Sequence, residues 1–442
     1  MLSATTVLAV ALLAQASEEG QLALPPPTPS VSELLERIEI LEQRLDQAER
    51  TQRAREPKVQ VHGYIDFGFF APQPGNQGSG VIQDVVVANQ RFPTLAQRYG
   101  WLFFGDLYAP MVNSRGEPAD LGSLPGVQRF DSIHSGGAPG FIVNEATLLL
   151  DATLLTNLFA QVGVNFVPRS GTDFASGDFF NVDIAQVEWV PFTAGHTSVF
   201  FGKFDSVLGI EYRERRASQR FGITPSLIQR YTSGTPLGIK VRSKLFDDLL
   251  VVALSLTNGT SVVEPFHFYS EIDTNWAKTG SGRVSVHPPL PGEVDLEVGA
   301  SGLYGGQDVS HLSTGEVWFF GFDARLSWRT LTVKAQWLKG FSRGSPSEGV
   351  YRLELNGGGY VEADWMIIPL VGVLARGEYR DALVSLGTER AYLTKGWRAT
   401  LGVRVVVDQH IVVKAEYLYN GEYGGVPYIP DNIFTSSAVF SF

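Results

Sequence analysis

Residues 58–70 read KVQVHGYIDFGFF, and this stretch decides the fold class. Nearly every second residue is apolar, and the positions between are polar or small. The apolar positions are Val59, Val61, Ile65, Phe67 and Phe69. Because successive side chains of a β-strand point to opposite faces, the pattern predicts a strand with one apolar and one polar face.

The same alternation recurs along the chain and predicts sixteen strands. They span about 58–70, 140–152, 157–168, 178–190, 196–204, 236–246, 249–258, 275–287, 293–304, 315–329, 330–341, 357–368, 370–381, 391–407, 410–420 and 433–442. Connections after even-numbered strands are short and those after odd-numbered strands are mostly long, which is typical of outer-membrane barrels. The prediction is an all-β, 16-stranded antiparallel transmembrane β-barrel over residues 58–442. An extra hairpin within the long first loop, residues 71–139, would raise the number to 18.

The composition supports a membrane barrel and excludes several other classes. The chain has 442 residues and no cysteine, which rules out disulfide scaffolds, thiol enzymes and Cys-ligated metal sites. A net charge of −11 without a basic block argues against nucleic acid as a partner. The chain contains no run of 18 consecutive apolar residues, so it is not predicted to have a transmembrane helix. Seven of the eight tryptophans lie in the predicted strands or at their ends, as in the aromatic girdles of membrane proteins.

The N-terminal segment predicts export and oligomerisation. Residues 1–16 match a secretory signal peptide, with a frayed apolar terminus as the alternative. Residues 17–30 form a Pro-rich linker, and residues 31–55 a predicted coiled-coil helix in the periplasm. Its core comprises Val31, Leu34, Ile38, Leu41 and Leu45. A single amphipathic helix packed on the barrel is the alternative, and isolated coils with this pattern favour dimers.

The chain ends on a strand that finishes with aromatic residues. Residues 433–442 read IFTSSAVFSF, with Phe440 and Phe442 on one face. This ending resembles the signal by which outer-membrane barrels are passed to the barrel-assembly machinery. That machinery and outer-membrane lipid are therefore predicted partners, and the bacterial outer membrane is the predicted location.

The third long connection, from Asp205 to Thr235, carries dense charge and is predicted to fold into the lumen as a constriction. The predicted selectivity residues are Arg213, Arg215, Arg216, Arg220, Arg230, Lys240, Arg242 and Lys244. Cationic side chains in a narrow pore lower the barrier for anions. The alternative is that these cations pin the loop to acids of the loop and the wall, namely Glu211, Glu214, Glu188, Glu362, Asp364, Glu378 and Glu416.

The sequence offers no catalytic or metal-binding motif. It lacks HExxH, GxxxxGK[ST] and GxSxG patterns, and its seven histidines are scattered. We therefore expect no enzymatic activity, no cofactor and no metal.

Residues 201–204 (FGKF) and 208–211 (LGIE), followed by Arg213, resemble a stretch of the phosphate-selective porin O/P family and the related DcaP-like porins. Gly202, Lys203 and Glu211 carry the motif. The resemblance implies a trimeric 16-stranded porin, with an N-terminal coiled coil as in DcaP-like members. Val207 replaces a proline of the pattern, and a Lys-rich loop is missing, so the resemblance does not extend to phosphate specificity.

These observations predict a porin for passive diffusion of small hydrophilic solutes, with an anion preference set by the Arg-rich loop. One alternative is a plugged barrel that serves as a structural tether of the outer membrane. Two others are an outer-membrane enzyme and a secreted soluble β-protein that binds glycans through its aromatic residues.

Overall fold

The computed structural model describes residues 58–72, 139–166, 180–192, 196–232, 234–258, 276–310, 313–344, 351–386, 389–423 and 432–442. The predicted signal peptide, Pro-rich linker and coiled coil lie outside the described residues, as do residues 73–138 of the first loop.

Sixteen antiparallel strands form one closed barrel in which each strand pairs with its neighbours in sequence and β1 pairs with β16. The strands are β1 Lys58–Pro72, β2 Gly140–Leu155, β3 Leu158–Phe166, β4 Phe180–Trp189, β5 Thr197–Lys203, β6 Leu237–Leu245, β7 Leu250–Asn258, β8 Lys278–Val286, β9 Val294–Ser310, β10 Ser313–Trp328, β11 Leu331–Gly344, β12 Tyr351–Ile368, β13 Val371–Leu386, β14 Glu389–Asp408, β15 Ile411–Glu422 and β16 Ile433–Ser441. Between β5 and β6 lie a 3-10 turn, Glu211–Glu214, and a one-turn helix α1, Gln229–Thr232. The predicted 16-stranded barrel is confirmed, and the closed sheet has no place for two more strands.

Several strands are longer than their sequence pattern predicts. The pattern places one strand at 357–368, whereas β12 begins at Tyr351. The pairing register of β12 shifts between Leu355 and Gly357. A β-bulge of this kind reverses which residues face outwards, so the two-residue period breaks although the strand continues.

The two faces of the barrel differ in chemistry. Apolar side chains cover the outside, for example Val61, Leu256 and Leu401, each at least 58% exposed. Inward positions carry buried charged groups such as Lys334 and Arg398. Trp328 and Trp365 lie near the short turns, next to each other across Leu331. No helix in the described part of the chain is long and apolar enough to cross a lipid bilayer.

The C-terminal residue closes the barrel. Phe442 N donates to Gly63 O, and Gly63 N donates to Phe442 O, each at 3.0 Å. A Cβ at position 63 would overlap the carbonyl oxygen of Thr147 and contact the Phe442 side chain. Only glycine therefore leaves room for the aromatic ring of Phe442. Phe440 is 44% exposed on the outer face. A role of Phe440 and Phe442 in assembly stays a prediction.

Candidate functional site

The connection between β5 and β6, residues 205–235, is called the inner loop because its groups bond to inward side chains of the barrel. It starts just after Gly202, whose φ of +111° lies in a region that favours glycine. A Cβ there would overlap the carbonyl oxygen of Ala185 on β4. This close approach gives a physical reason for the glycine of the family motif, and the neighbouring Lys203 is buried.

Three arginines in the first half of the inner loop bind carboxylates of the wall. Arg213 makes a two-pronged contact with Glu297 of β9, at 2.7 and 2.8 Å. Arg215 binds Asp183 of β4 at 2.8 Å and also Asp205. Arg216 binds the same Asp183 at 3.3 Å. Such charge-assisted forks are strong and fix both partners in place.

Two features explain the contacts between these arginines and carboxylates. Asp183 is the extra residue where the register of β3 and β4 shifts, and a β-bulge re-aims a side chain in this way. Burial alone lowers the pKa of Arg215, but Asp205 and Asp183 outweigh it and raise that pKa well above its usual range. Arg215 therefore keeps its charge.

The second half of the inner loop is bound through its backbone. Glu416 of β15 accepts from Thr224 N at 3.0 Å and from Thr224 Oγ1 at 2.7 Å. Glu378 of β13 accepts from Leu227 N at 2.6 Å. Arg376 donates to Thr224 O at 2.7 Å. Wall side chains thus satisfy backbone groups that would otherwise be buried without partners.

A single lysine of β15 holds the middle of the inner loop. Lys414 Nζ donates to the carbonyl oxygens of Ala217, Arg220 and Gly222, at 2.7, 2.6 and 2.9 Å. Lys414 is 2% exposed. The ammonium group has three N–H donors and no acceptor, so these three bonds use its full capacity.

The inner loop also has an apolar interior. Phe204, Leu208 and Leu227 are fully buried. Tyr231 of α1 lies against Phe319 of β10, with ring centroids 5.8 Å apart. The loop is therefore a packed element of the barrel, and its predicted inward folding agrees with these contacts.

The predicted selectivity residues do not form one cluster. Arg220 is buried, and its Nε and Nη1 have no hydrogen-bond partner among the described residues. Lys240 donates to Asp205 O at 3.2 Å and lies 4.5 Å from the Phe200 ring centroid. Lys244 binds Asp248 at the β6–β7 turn, away from the arginines, and Arg242 is exposed. The side chain of Arg230 lies outside the described residues.

The inner loop is bound to the wall, but not through the ion pairs that the sequence suggested, because its arginines bind Asp183, Asp205 and Glu297. Of the acids named from the sequence, Glu214 binds Lys334 of β11 at 2.6 Å, while Glu378 and Glu416 bind the loop backbone. Glu362 and Asp364 bind Lys334 beneath it.

Sequence reasoning missed the cations of the wall that hold the inner loop. They are Lys334, Arg376, Arg398, Arg404 and Lys414. Each lies on a strand between outward apolar residues, and this isolated charge is the signal that marks an inward position.

A cavity borders the inward face of the first four strands. This cavity of about 370 Å³ lies along β1 to β4, with Gln60, Asp151, Gln161 and Glu188 among its lining residues. The described residues thus leave space along this part of the wall.

Glu211 joins the two halves of the inner loop. Its titration is expected to make the stability of the folded protein depend on pH. Glu211 accepts from Ser226 N at 2.7 Å and Ser226 Oγ at 2.6 Å. Burial raises its pKa from 4.5 to about 7; the Ser226 bonds and Arg376 lower it, and Glu362 raises it. Because the pKa is higher in the folded loop than in the unfolded chain, the stabilisation is complete below pH 4.5 and is lost as pH rises through 7.

We therefore expect the wild type to lose about 1–3 kcal/mol relative to Glu211→Gln between pH 5 and pH 8. The neutral glutamine amide offers Ser226 one acceptor and one donor. Unlike the carboxyl group, it does not titrate. Denaturant unfolding of both proteins in detergent at each pH measures the difference. Parallel stability curves for the two proteins would contradict the assignment.

Comparison with known proteins supports the fold. No protein-family profile matches the chain, and no curated protein sequence matches it. Three outer-membrane proteins illustrate the solved structures that are similar. The outer membrane channel DcaP of Acinetobacter baumannii has a TM-score of 0.52 and 12% identity, over 87% of this chain and 97% of that one. Salmonella typhi OmpF in complex with daunomycin has a TM-score of 0.51 and 9% identity, over 87% of this chain and 98% of that one.

The third is Pseudomonas putida OprB, with a TM-score of 0.50 and 10% identity over 88% of this chain and 94% of that one. Likenesses at such identities establish architecture alone. The resemblance to the phosphate-selective porin O/P family has no matching family profile and stays a prediction. The chain has the fold of a porin-like 16-stranded barrel.

Proposed function

We propose that this protein is a channel of the bacterial outer membrane through which small hydrophilic solutes diffuse passively. The observation that carries the proposal is the closed 16-stranded barrel with an apolar outside, a charged inside and a long loop bound into its lumen. A barrel of this strand number encloses a water-filled interior, whereas eight strands leave room only for side chains. No chemical step is part of this function.

The assembly belongs to the same proposal. We propose export through residues 1–16, folding by the barrel-assembly machinery through the C-terminal aromatic residues, and a homotrimer whose residues 31–55 form a periplasmic coiled coil. The sequence patterns described above are the support for these steps.

We propose that Arg220 in particular gives the channel a preference for anions. Arg213, Arg215 and Arg216 each lie against a carboxylate, which offsets their field at a distance. Arg220 has two guanidinium nitrogens without a partner among the described residues. It lines a small cavity that holds further cations and the carboxyl groups of Glu211, Glu214 and Glu362, none of which makes a hydrogen bond to Arg220. Its positive charge is therefore the least compensated of the loop arginines in this part of the chain.

We expect Arg220→Gln to raise the cation-to-anion permeability ratio roughly twofold, because one unit charge several ångströms from an ion changes its energy by a fraction of a kcal/mol. The reversal potential of single channels in a potassium chloride gradient measures this ratio. Arg329→Gln is the matched control, since Arg329 pairs with Glu293 at an exposed turn where salt screens charge. An unchanged reversal potential for Arg220→Gln would remove this residue from the filter.

The channel itself is tested with the purified mature protein in planar bilayers. We expect stepwise currents, with steps in groups of three for a trimer. Silence from protein that is folded, as judged by its resistance to unfolding in detergent, would contradict the channel and favour the plugged structural tether.

A further inference from the structure

Four polar side chains form one row across the barrel wall from β1 to β4. In the strand register Gln60 pairs with Asp151, Asp151 with Gln161, and Gln161 with Gln186. The row, here called the polar row, faces inwards, since Val59 and Val61 on either side of Gln60 are 60% exposed on the outside. It ends at Gly202, which pairs with Gln186 and has no side chain.

The hydrogen bonds within the polar row run in one direction. Gln186 Nε2 donates to Gln161 Oε1 at 3.1 Å, and Gln161 Nε2 donates to Asp151 Oδ1 at 2.8 Å. Gln186 Oε1 is buried and accepts no hydrogen bond from any described residue. Each amide nitrogen has two N–H groups, of which one is used in these bonds. The row thus offers amide N–H donors to a ligand, and the Asp151 carboxylate, whose side chain is 36% exposed, as an acceptor.

The next row towards the short turns adds an apolar surface. Phe159 of β3 pairs with Thr153 of β2 and with Glu188 of β4. Both rows line the cavity of about 370 Å³. This volume lies within the range of small-molecule sites. The lining is mostly polar, and Phe159 is its one aromatic residue.

The charges of this cavity favour a neutral ligand. Asp151 and Glu188 oppose an anion, and Lys58 lies in the same lining and opposes a cation. His62 Nε2 lies 3.5 Å from Asp151 Oδ2. A hydroxyl group suits the polar row best, because it donates to an amide oxygen or carboxylate and accepts from an amide N–H at the same time. Several hydroxyls on a ring with an apolar face match the amides and Phe159 together.

We propose that this side of the lumen is a binding site for neutral polyhydroxylated solutes, that is, sugars, with Gln161, Gln186 and Asp151 binding hydroxyls and Phe159 contacting the ring. The inference rests on the proposed channel and names a solute class for it. It places solute recognition on β1 to β4.

Sucrose is the probe, and two readouts separate the inference from the channel. The first is the potassium chloride current of single channels with sucrose added, compared with a poly(ethylene glycol) of similar size that has no hydroxyl pattern. The second is saturation-transfer difference NMR of sucrose with the full-length protein in detergent, which needs no conduction. We expect saturable block by sucrose beyond that of the polymer, and an NMR signal.

Gln161→Leu and Gln186→Leu are each expected to weaken half-maximal block and NMR binding about fivefold, the value of one net hydrogen bond. Gln409→Leu is the matched control, because Gln409 lies exposed at the β14–β15 turn. Asp151→Asn keeps hydrogen bonding without charge and should leave sucrose binding within about twofold. Since it preserves size and shape, it also serves if the leucine variants fail to fold.

The outcomes are distinct. Currents without sucrose binding, or equal reduction by sucrose and polymer, overturn the sugar site and leave the channel intact. Sucrose binding by NMR without currents overturns the channel and keeps the site. Binding that survives both glutamine variants, or is lost in Asp151→Asn, overturns the assignment to these hydroxyl contacts.

Discussion

Replacing Glu378 with alanine is expected to destabilise the folded barrel by about 3–5 kcal/mol, because it removes one partner of a buried ion cluster. Glu378 Oε1 accepts from Arg398 at 2.7 Å and from Arg376 at 3.1 Å, and its Oε2 accepts from Leu227 N. The side chains of Glu378 and Arg398 are both 0% exposed. Without the carboxylate, the Arg398 charge stays buried next to the carbonyl oxygen of Pro225.

Denaturant unfolding of the detergent-solubilised protein, followed by tryptophan fluorescence, measures the loss. Glu316→Ala is the matched control, since Glu316 lies exposed on β10. Glu378→Gln retains acceptor and shape and should cost less than the alanine variant, although the amide also leaves the arginine charges uncompensated. A loss below 1 kcal/mol for Glu378→Ala would mean that water or a shift of the loop replaces the cluster.

The sequence predicts the barrel well because its physics is local. Lipid on one side and water on the other impose a period of two on every strand, as in residues 58–70, whichever strand lies next to it. Strand ends depend on bulges, as at Leu355 and Gly357, where the register shifts and the period breaks. The predicted start of β12 was therefore wrong by six residues.

The candidate site is less predictable because its partners are far apart in sequence. Dense charge around Glu211 and Arg216 correctly indicates a loop that must be neutralised by the wall. Nothing local shows that Glu416 binds the backbone at Thr224, 192 residues away, since that contact depends on the register of the whole barrel. The strength of the arginines as an anion filter is set by these same pairings, so residue type alone overstates it.

Replacing Lys414 with methionine is expected to release the middle of the inner loop. The change leaves the carbonyl oxygens of Ala217, Arg220 and Gly222 without their shared donor. Arg220 O keeps its bond from Arg404. Each buried group that loses its partner costs about 1–3 kcal/mol, and removal of a buried charge offsets part of the sum. We expect a net loss of roughly 2–4 kcal/mol and a loop that opens locally before the barrel unfolds.

Limited proteolysis with trypsin distinguishes local opening from global unfolding. In the wild type the bonds after Arg216 and Arg220 are protected, because both residues are buried. In Lys414→Met we expect cleavage at these bonds while the strands stay intact, and larger single-channel currents as the loop leaves the lumen. Lys339→Met is the matched control, since Lys339 pairs with Phe320 of β10, which is 40% exposed on the outer face, and so points away from the inner loop. If Lys414→Met resists trypsin as well as this control does, the loop is held by Glu378 and Glu416 without the lysine. The carboxylates that bind the loop backbone would then be sufficient to keep the constriction in place.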